Sequence, residues 1–130
     1  RGKILSLAAV AVILVLVAGI MFTGNLEYRY DEDAFTVEAD YYQDLTVEYA
    51  AVDQIEYRET DKAGVRTFGF GSARLMMGQF KNDEFGVYTR YSYTKCDSCV
   101  VLTAGEDTLV LSGPNEAATR AIYEELTARQ

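Results

Sequence analysis

Cys96 and Cys99 are the chain's two cysteines, and they stand in a C-x-x-C spacing. Three chemistries use that spacing. A thiol–disulfide exchange centre places its first cysteine at a helix N-terminus that follows a strand. A zinc site needs two more ligands, and the chain offers no second cysteine pair and no histidine. A hairpin turn with cysteine at its first and fourth positions brings the two side chains within reach of a local disulfide. The flanks are Tyr91-Ser92-Tyr93-Thr94-Lys95 and Val100-Val101-Leu102-Thr103, which read as two strands. The expectation is therefore a turn closed by a Cys96–Cys99 disulfide, which an exported domain allows to form. Free thiols and a redox pair are the competing readings. The closed loop is so short that the bond contributes little stability.

A second constellation is Lys62, Arg66 and Arg74 around the glycine-rich stretch Thr60-Asp61-Lys62-Ala63-Gly64-Val65-Arg66-Thr67-Phe68-Gly69-Phe70-Gly71. Three cations beside exposed backbone N–H groups can hold a small anion or a lipid headgroup. The plainer reading is a turn with solvated charges. It is not a nucleotide phosphate loop, because no G-K-[ST] follows the glycines. Asp31, Glu32 and Asp33 could bind a divalent cation, but they lack the spacing of a calcium loop and read as a solvated connector. With no histidine and no separable pair among 20 acids, no catalytic residue, cofactor site or metal site is assigned.

The stretch that sets these groups in place is residues 4–24, ILSLAAVAVILVLVAGIMFTG, which contains no charged side chain. At about 1.5 Å per residue, a helix over it reaches roughly 31 Å, the thickness of a bilayer's hydrocarbon core. Arg1 and Lys3 precede it, and a mostly acidic segment follows. Lys and Arg favour the cytoplasmic side, so the expectation is a single-pass anchor with the following domain outside the cytoplasm. A secretory signal peptide is the alternative. Val17-Ala18-Gly19 is its only small-residue cleavage candidate, and the apolar run is long for one.

All 20 acidic residues and ten of the 12 basic ones lie beyond the apolar run. Such a surface repels phosphate backbones, which excludes nucleic acid as a partner. The remainder of the chain suits one domain with one core. Residues 25–33 read as a linker and residues 34–130 as the domain.

Within that domain the side chains alternate with period two. Strands are expected at residues 35–41, 45–49, 55–58, 72–80, 87–94, 100–103 and 108–111. Residues 60–71 read as a glycine-rich loop. The last segment changes period: Ala118, Ile122 and Leu126 share one helical face behind Pro114, over about residues 114–129. The ten tyrosines suit core positions in such a fold, although Tyr41-Tyr42 and Tyr88, Tyr91 and Tyr93 could instead form an exposed aromatic patch. Seven strands and a closing helix suggest a small antiparallel barrel or sandwich plugged by the helix.

The order of motifs resembles the bacterial PH-like domains, relatives of the pleckstrin-homology fold. The resemblance is carried by Val52 and Ile55, by Gly64-Val65-Arg66-Thr67-Phe68-Gly69-Phe70-Gly71, and by Gly78-Gln79-Phe80. Gly86-Val87-Tyr88-Thr89-Arg90-Tyr91 and the helix face Thr119, Ile122, Tyr123 and Leu126 complete it. It covers about residues 34–129 and leaves Cys96 and Cys99 outside its pattern. It implies a mainly β fold of seven strands in two near-orthogonal sheets, capped by the C-terminal helix and set beside a membrane helix. It implies no catalytic activity. A phosphoinositide site needs a basic cluster in the early loops, and the first of these carries Tyr42, Gln43 and Asp44 instead. The expected function is a membrane-anchored, non-enzymatic module of the bacterial cell envelope that contacts an unknown protein partner. The alternatives are a thiol–disulfide redox protein and an anion or lipid-headgroup binder.

Overall fold

A computed structural model describes the backbone from residue 2 to residue 130 and the side chains from residue 7 onward. Arg1 and the side chain of Lys3, on which the expected orientation rests, lie outside the described residues. The apolar run forms α1 (Gly2–Phe22). Its described side chains are apolar all round and uncovered: Leu7, Leu14, Val15 and Phe22 are each more than half exposed. Among the described residues no helix is long and apolar enough to cross a membrane.

The chain enters the domain at once. Residues 25–33, expected as a linker, instead supply β1 (Leu26–Tyr30), which pairs with β2 (Ala34–Ala39) through a tight turn at the acidic triplet. The acidic residues hide a period-two pattern: Leu26, Tyr28 and Tyr30 face inward while Glu27 and Arg29 face water. β3 (Leu45–Glu48) completes a three-stranded antiparallel sheet, followed by a single turn of 3-10 helix at Tyr49–Ala51.

A second sheet has six strands: β4 (Gln54–Arg58), β5 (Val65–Gly71), β6 (Leu75–Asn82), β7 (Gly86–Tyr93), β8 (Cys99–Ala104) and β9 (Asp107–Leu111). Their order is β4-β8-β9-β7-β6-β5. The described residues thus hold nine strands rather than seven. They form two separate sheets rather than a closed barrel, and β7 runs parallel to β9. The additional strands are β1 and β5. In β5 a bulge between Arg66 and Phe68 and the facing glycines Gly69 and Gly78 break the alternation that marks a strand in sequence. Both glycines have positive φ, and a Cβ on either would collide with the opposite backbone.

The helix α2 (Glu116–Ala128) is capped by the Asn115 side chain, which accepts from the Ala118 N–H at 2.9 Å. It buries Thr119, Ile122 and Leu126 against β4 and β8. The main core lies between the two sheets and this helix, around Phe35, Val37, Leu75, Met77, Leu102 and Leu111. A second apolar cluster, Phe80, Tyr88, Cys99, Val101 and Val110, sits on the outer face of the larger sheet.

The tyrosines belong mainly to the interior. Tyr88, Tyr91 and Tyr93 are buried, so they form no exposed patch. Their hydroxyls tie segments together. Tyr91 donates to the Gln43 carbonyl at 2.9 Å, and Tyr93 accepts from the Leu26 N–H at 2.9 Å. Tyr28 donates to the Ser112 carbonyl at 3.0 Å.

Candidate functional site

β7 alternates between the two faces of the sheet. Tyr91 and Tyr93 point into the main core, while Tyr88, Arg90 and Ser92 point to the outer face. Arg90 stands opposite Gly78 of β6, whose missing side chain leaves room for the guanidinium. That guanidinium is fully buried. It donates to both carboxylate oxygens of Asp61, at 2.6 and 2.5 Å, to the Tyr88 hydroxyl at 3.0 Å and to Ser92 Oγ at 3.0 Å. The Phe80 and Tyr88 rings flank it, with centroids 5.7 and 5.5 Å away. Burial opposes the charge, but the Asp61 carboxylate and the Tyr88 hydroxyl outweigh burial and hold the Arg90 pKa above its ordinary value.

Asp61 lies in the segment joining β4 to β5, so the ion pair fastens that segment across the outer cluster. Tyr88 strengthens the fastening by donating to the Ala63 carbonyl, and Asn82 donates to the Lys62 carbonyl at 3.0 Å. Beside it opens a cleft of about 210 Å³ lined by Arg58, Asp61, Lys62, Glu84, Phe85 and Cys99. Arg58 closes one side, gripping both oxygens of Glu84 at 2.6 Å.

The two cysteines do not form the expected disulfide. Both are free and buried, and they belong to different apolar clusters: Cys96 to the main core, Cys99 to the outer one. The turn closes three residues earlier than expected, with Cys96 as its fourth residue and not its first: the Cys96 N–H donates to the Tyr93 carbonyl at 3.2 Å. Cys99 is already the first residue of β8, where pairing with Arg58 fixes its direction. Burial, with the Asp61 carboxylate adding to it, pushes the Cys99 thiol up to about 12. Such a thiol is protonated at neutral pH, the opposite of the thiolate that exchange chemistry uses. Cys96 Sγ lies 3.4 Å from Thr119 Oγ1 on α2.

Nor do the three cations around the glycine-rich stretch converge. Lys62 lines the outer cleft. Arg66 lies along β5 with its guanidinium over Gly71. Arg74 belongs to the end of α1: Nε donates to the Gly24 carbonyl, Nη2 donates to Asn25 Oδ1 at 2.7 Å, and the guanidinium stacks on Tyr93. Around it the Ala73 N–H donates to the Met21 carbonyl at 3.2 Å, and Thr23 Oγ1 lies 2.7 Å from the Tyr41 hydroxyl. Among the described residues, no group of three or more Cys, Asp or Glu side chains is placed to hold a metal ion. Asp31 of the acidic triplet is paired with Arg29 at 3.3 Å.

The family described as Bacterial PH domain matches residues 26–126. The chain belongs to the bacterial PH domain family. The match begins at β1, so the segment expected as a linker is part of the bacterial PH domain. No curated protein and no solved structure matches the chain. Sequence reading passed over the Arg90–Asp61 pair of this bacterial PH domain. Its signal was present: Arg90 shares a strand face with Tyr88 and Ser92, an odd place for a cation if that face were in water.

Proposed function

We propose that the chain is a membrane-anchored, non-enzymatic PH-like module of the bacterial cell envelope that works by contacting another protein. The observation that carries this reading is a helix with an uncovered apolar surface joined directly to a bacterial PH domain. A helix apolar on every side is stable when that surface leaves water, in lipid or against other helices. Residues 4–24 are uncharged and reach roughly 31 Å as a helix, which suits a bilayer. The basic residues before the run and the acidic ones after it favour a domain outside the cytoplasm.

Binding rather than chemistry is the reading the domain favours. Its thiols are buried, and the Cys99 thiol is held protonated. Its glycine-rich stretch sends Lys62 and Arg74 to different clefts, which leaves an anion or headgroup without a common site.

Two measurements test the reading. A single cysteine placed at exposed Glu106, in a chain with Cys96 and Cys99 replaced by serine, should react with a membrane-impermeant maleimide on intact cells. Reaction only after lysis would reverse the orientation, and extraction of the chain from membranes by carbonate would remove the anchor. Photo-crosslinkers scanned over the domain surface in native membranes should trap a discrete partner. Absence of any adduct across the whole scan would sink the contact module.

A further inference from the structure

Where α1 meets the domain there is a cleft of about 140 Å³, lined by Phe22, Ala73, Arg74, Tyr93, Lys95 and Pro114. Two of these residues are cations and none is an acid, in a chain with 20 acids against 12 bases. Among the described residues neither Arg74 nor Lys95 makes an ion pair. Lys95 also borders a neighbouring cleft that holds Glu59, Asp97 and Glu116, yet it pairs with none of them. Arg74, which lies apart from Lys62 and Arg66, thus meets a different cation from those the glycine-rich stretch offered.

Arg74 is held in place before any ligand arrives. Its Nε and Nη2 donate to the Gly24 carbonyl and to Asn25 Oδ1, and its guanidinium lies 5.1 Å from the centre of the Tyr93 ring. Nη1 has no partner among the described residues, so the fork keeps donors to give. A guanidinium fixed in this way matches the paired oxygens of a phosphate and loses little freedom on binding one. Lys95 is exposed and adds a second positive charge from the other side of Tyr93 in the sequence.

Position selects the occupant. Phe22 is the last residue of α1 and is 68% exposed, and Pro114 is exposed beside it. With residues 4–24 in the hydrocarbon core, the cleft opens at the depth of the lipid headgroups. Tyr41, whose hydroxyl lies 2.7 Å from Thr23 Oγ1, sets an aromatic ring at the same joint, the residue type favoured at a membrane boundary. A soluble anion would have to reach this depth from water, past an acidic domain that repels it. A lipid is already there at high local concentration, and its acyl chains can lie against the uncovered side of α1. A choline or ethanolamine headgroup would bring its own cation into a cleft with no acid to receive it. We propose that Arg74 and Lys95 bind the phosphate of an anionic phospholipid from the bilayer that holds α1. The bound lipid would brace the joint between helix and domain. This inference rests on the reading of α1 as a membrane anchor and adds a lipid site to it.

The test uses the full chain, isotope-labelled, in neutral detergent micelles. The probes are short-chain phosphatidylglycerol, short-chain phosphatidylcholine and inorganic phosphate. Phosphatidylglycerol should shift the Arg74 Nε–H and the amides of Arg74 and Lys95, saturably and more weakly as salt is raised. Phosphatidylcholine and inorganic phosphate should shift them far less at equal concentration. Lys95→Gln, at an exposed position without an ion pair, should weaken phosphatidylglycerol binding about tenfold and leave the fold unchanged, and Lys95→Arg should retain it. Equal binding of phosphatidylcholine would overturn the selectivity for an anionic lipid. Equal binding of inorganic phosphate would make this a free-anion site and overturn the lipid. Shifts confined to α1, or unchanged binding in Lys95→Gln, would overturn the site while leaving the anchor standing. Extraction of the chain from native membranes by carbonate would instead remove the anchor, and the lipid site with it, whatever Lys95 does.

Discussion

Arg90 holds both carboxylate oxygens of Asp61 from the centre of β7, with its guanidinium fully buried and the carboxylate nearly so. A strand that could have carried an aliphatic residue there carries a cation. The segment between β4 and β5 is thereby bolted over the outer face of the sheet.

Removing one partner of this pair leaves a buried charge uncompensated. Asp61→Ala should therefore cost about 3–5 kcal/mol, read as a lower midpoint in urea unfolding. Replacing both residues, Asp61→Leu with Arg90→Met, should recover most of that loss, because well-packed apolar groups can substitute for a buried pair. If Asp61→Ala shifts the midpoint hardly at all, the latch is not what holds this segment.

Cys99 should make the domain sensitive to alkali. Its thiol titrates near 9.0 when unfolded and at about 12 when folded. Between those values the unfolded chain has lost a proton that the folded chain keeps. Stability from this group is thus complete below pH 9 and is lost as pH rises towards 12. The melting temperature should begin to fall near pH 9. In Cys99→Ala the fall should start about one pH unit later, where tyrosines take over. Identical profiles for the two proteins would refute the assignment.

The separation of the thiols predicts their chemistry in oxidising surroundings. Intact protein purified without reductant should contain two titratable thiols once denatured, and both should resist a water-soluble maleimide while folded. A mass two hydrogens lighter than the reduced chain, mapped to Cys96 and Cys99, would show that the turn rearranges to form the bond.

Gly78 faces Gly69 with both residues at positive φ and no space for a Cβ. Gly78→Ala should cost about 1–3 kcal/mol from backbone strain alone, with a further penalty from the collision. Hydrogen exchange should speed up first in β5, the outermost strand. Uniform acceleration over the whole domain would argue against a local effect.

Arg74 gives a fifth test. Arg74→Ala should leave the core intact and cost about 1 kcal/mol, the scale of a lost hydrogen bond. Spin labels on α1 and on β7 should then report a broader distance distribution. An unchanged width would mean that the Met21, Thr23 and Tyr41 contacts hold the joint by themselves.

Much of this fold was legible. β2, β3, β4 and β6 to β9 follow from alternation, and α2 from the spacing of Ala118, Ile122 and Leu126. β1 was obscured because Glu27, Arg29 and the acidic triplet made a strand look like a tether. β5 was obscured because glycines that permit close backbone approach also resemble a loop. The site was harder to read. A C-x-x-C spacing fixes sequence distance, but where β8 begins decides which face each thiol takes. Lys62, Arg66 and Arg74 are close in sequence, yet a strand edge, a strand face and a helix end separate them. The partner of Arg90 lies on a distant segment, and no local pattern could supply it.

The joint between α1 and the domain has a mechanical consequence. The residues that grip the helix, Ala73 and Arg74, form the turn in which β5 ends and β6 begins. No slack chain separates the two, because β1 starts four residues after the last helical one. Tilting the helix therefore applies leverage to the outermost strand, and stiffening that strand resists the tilt. By linkage the two are reciprocal: an orientation of α1 that orders β5 is favoured in return when β5 is ordered.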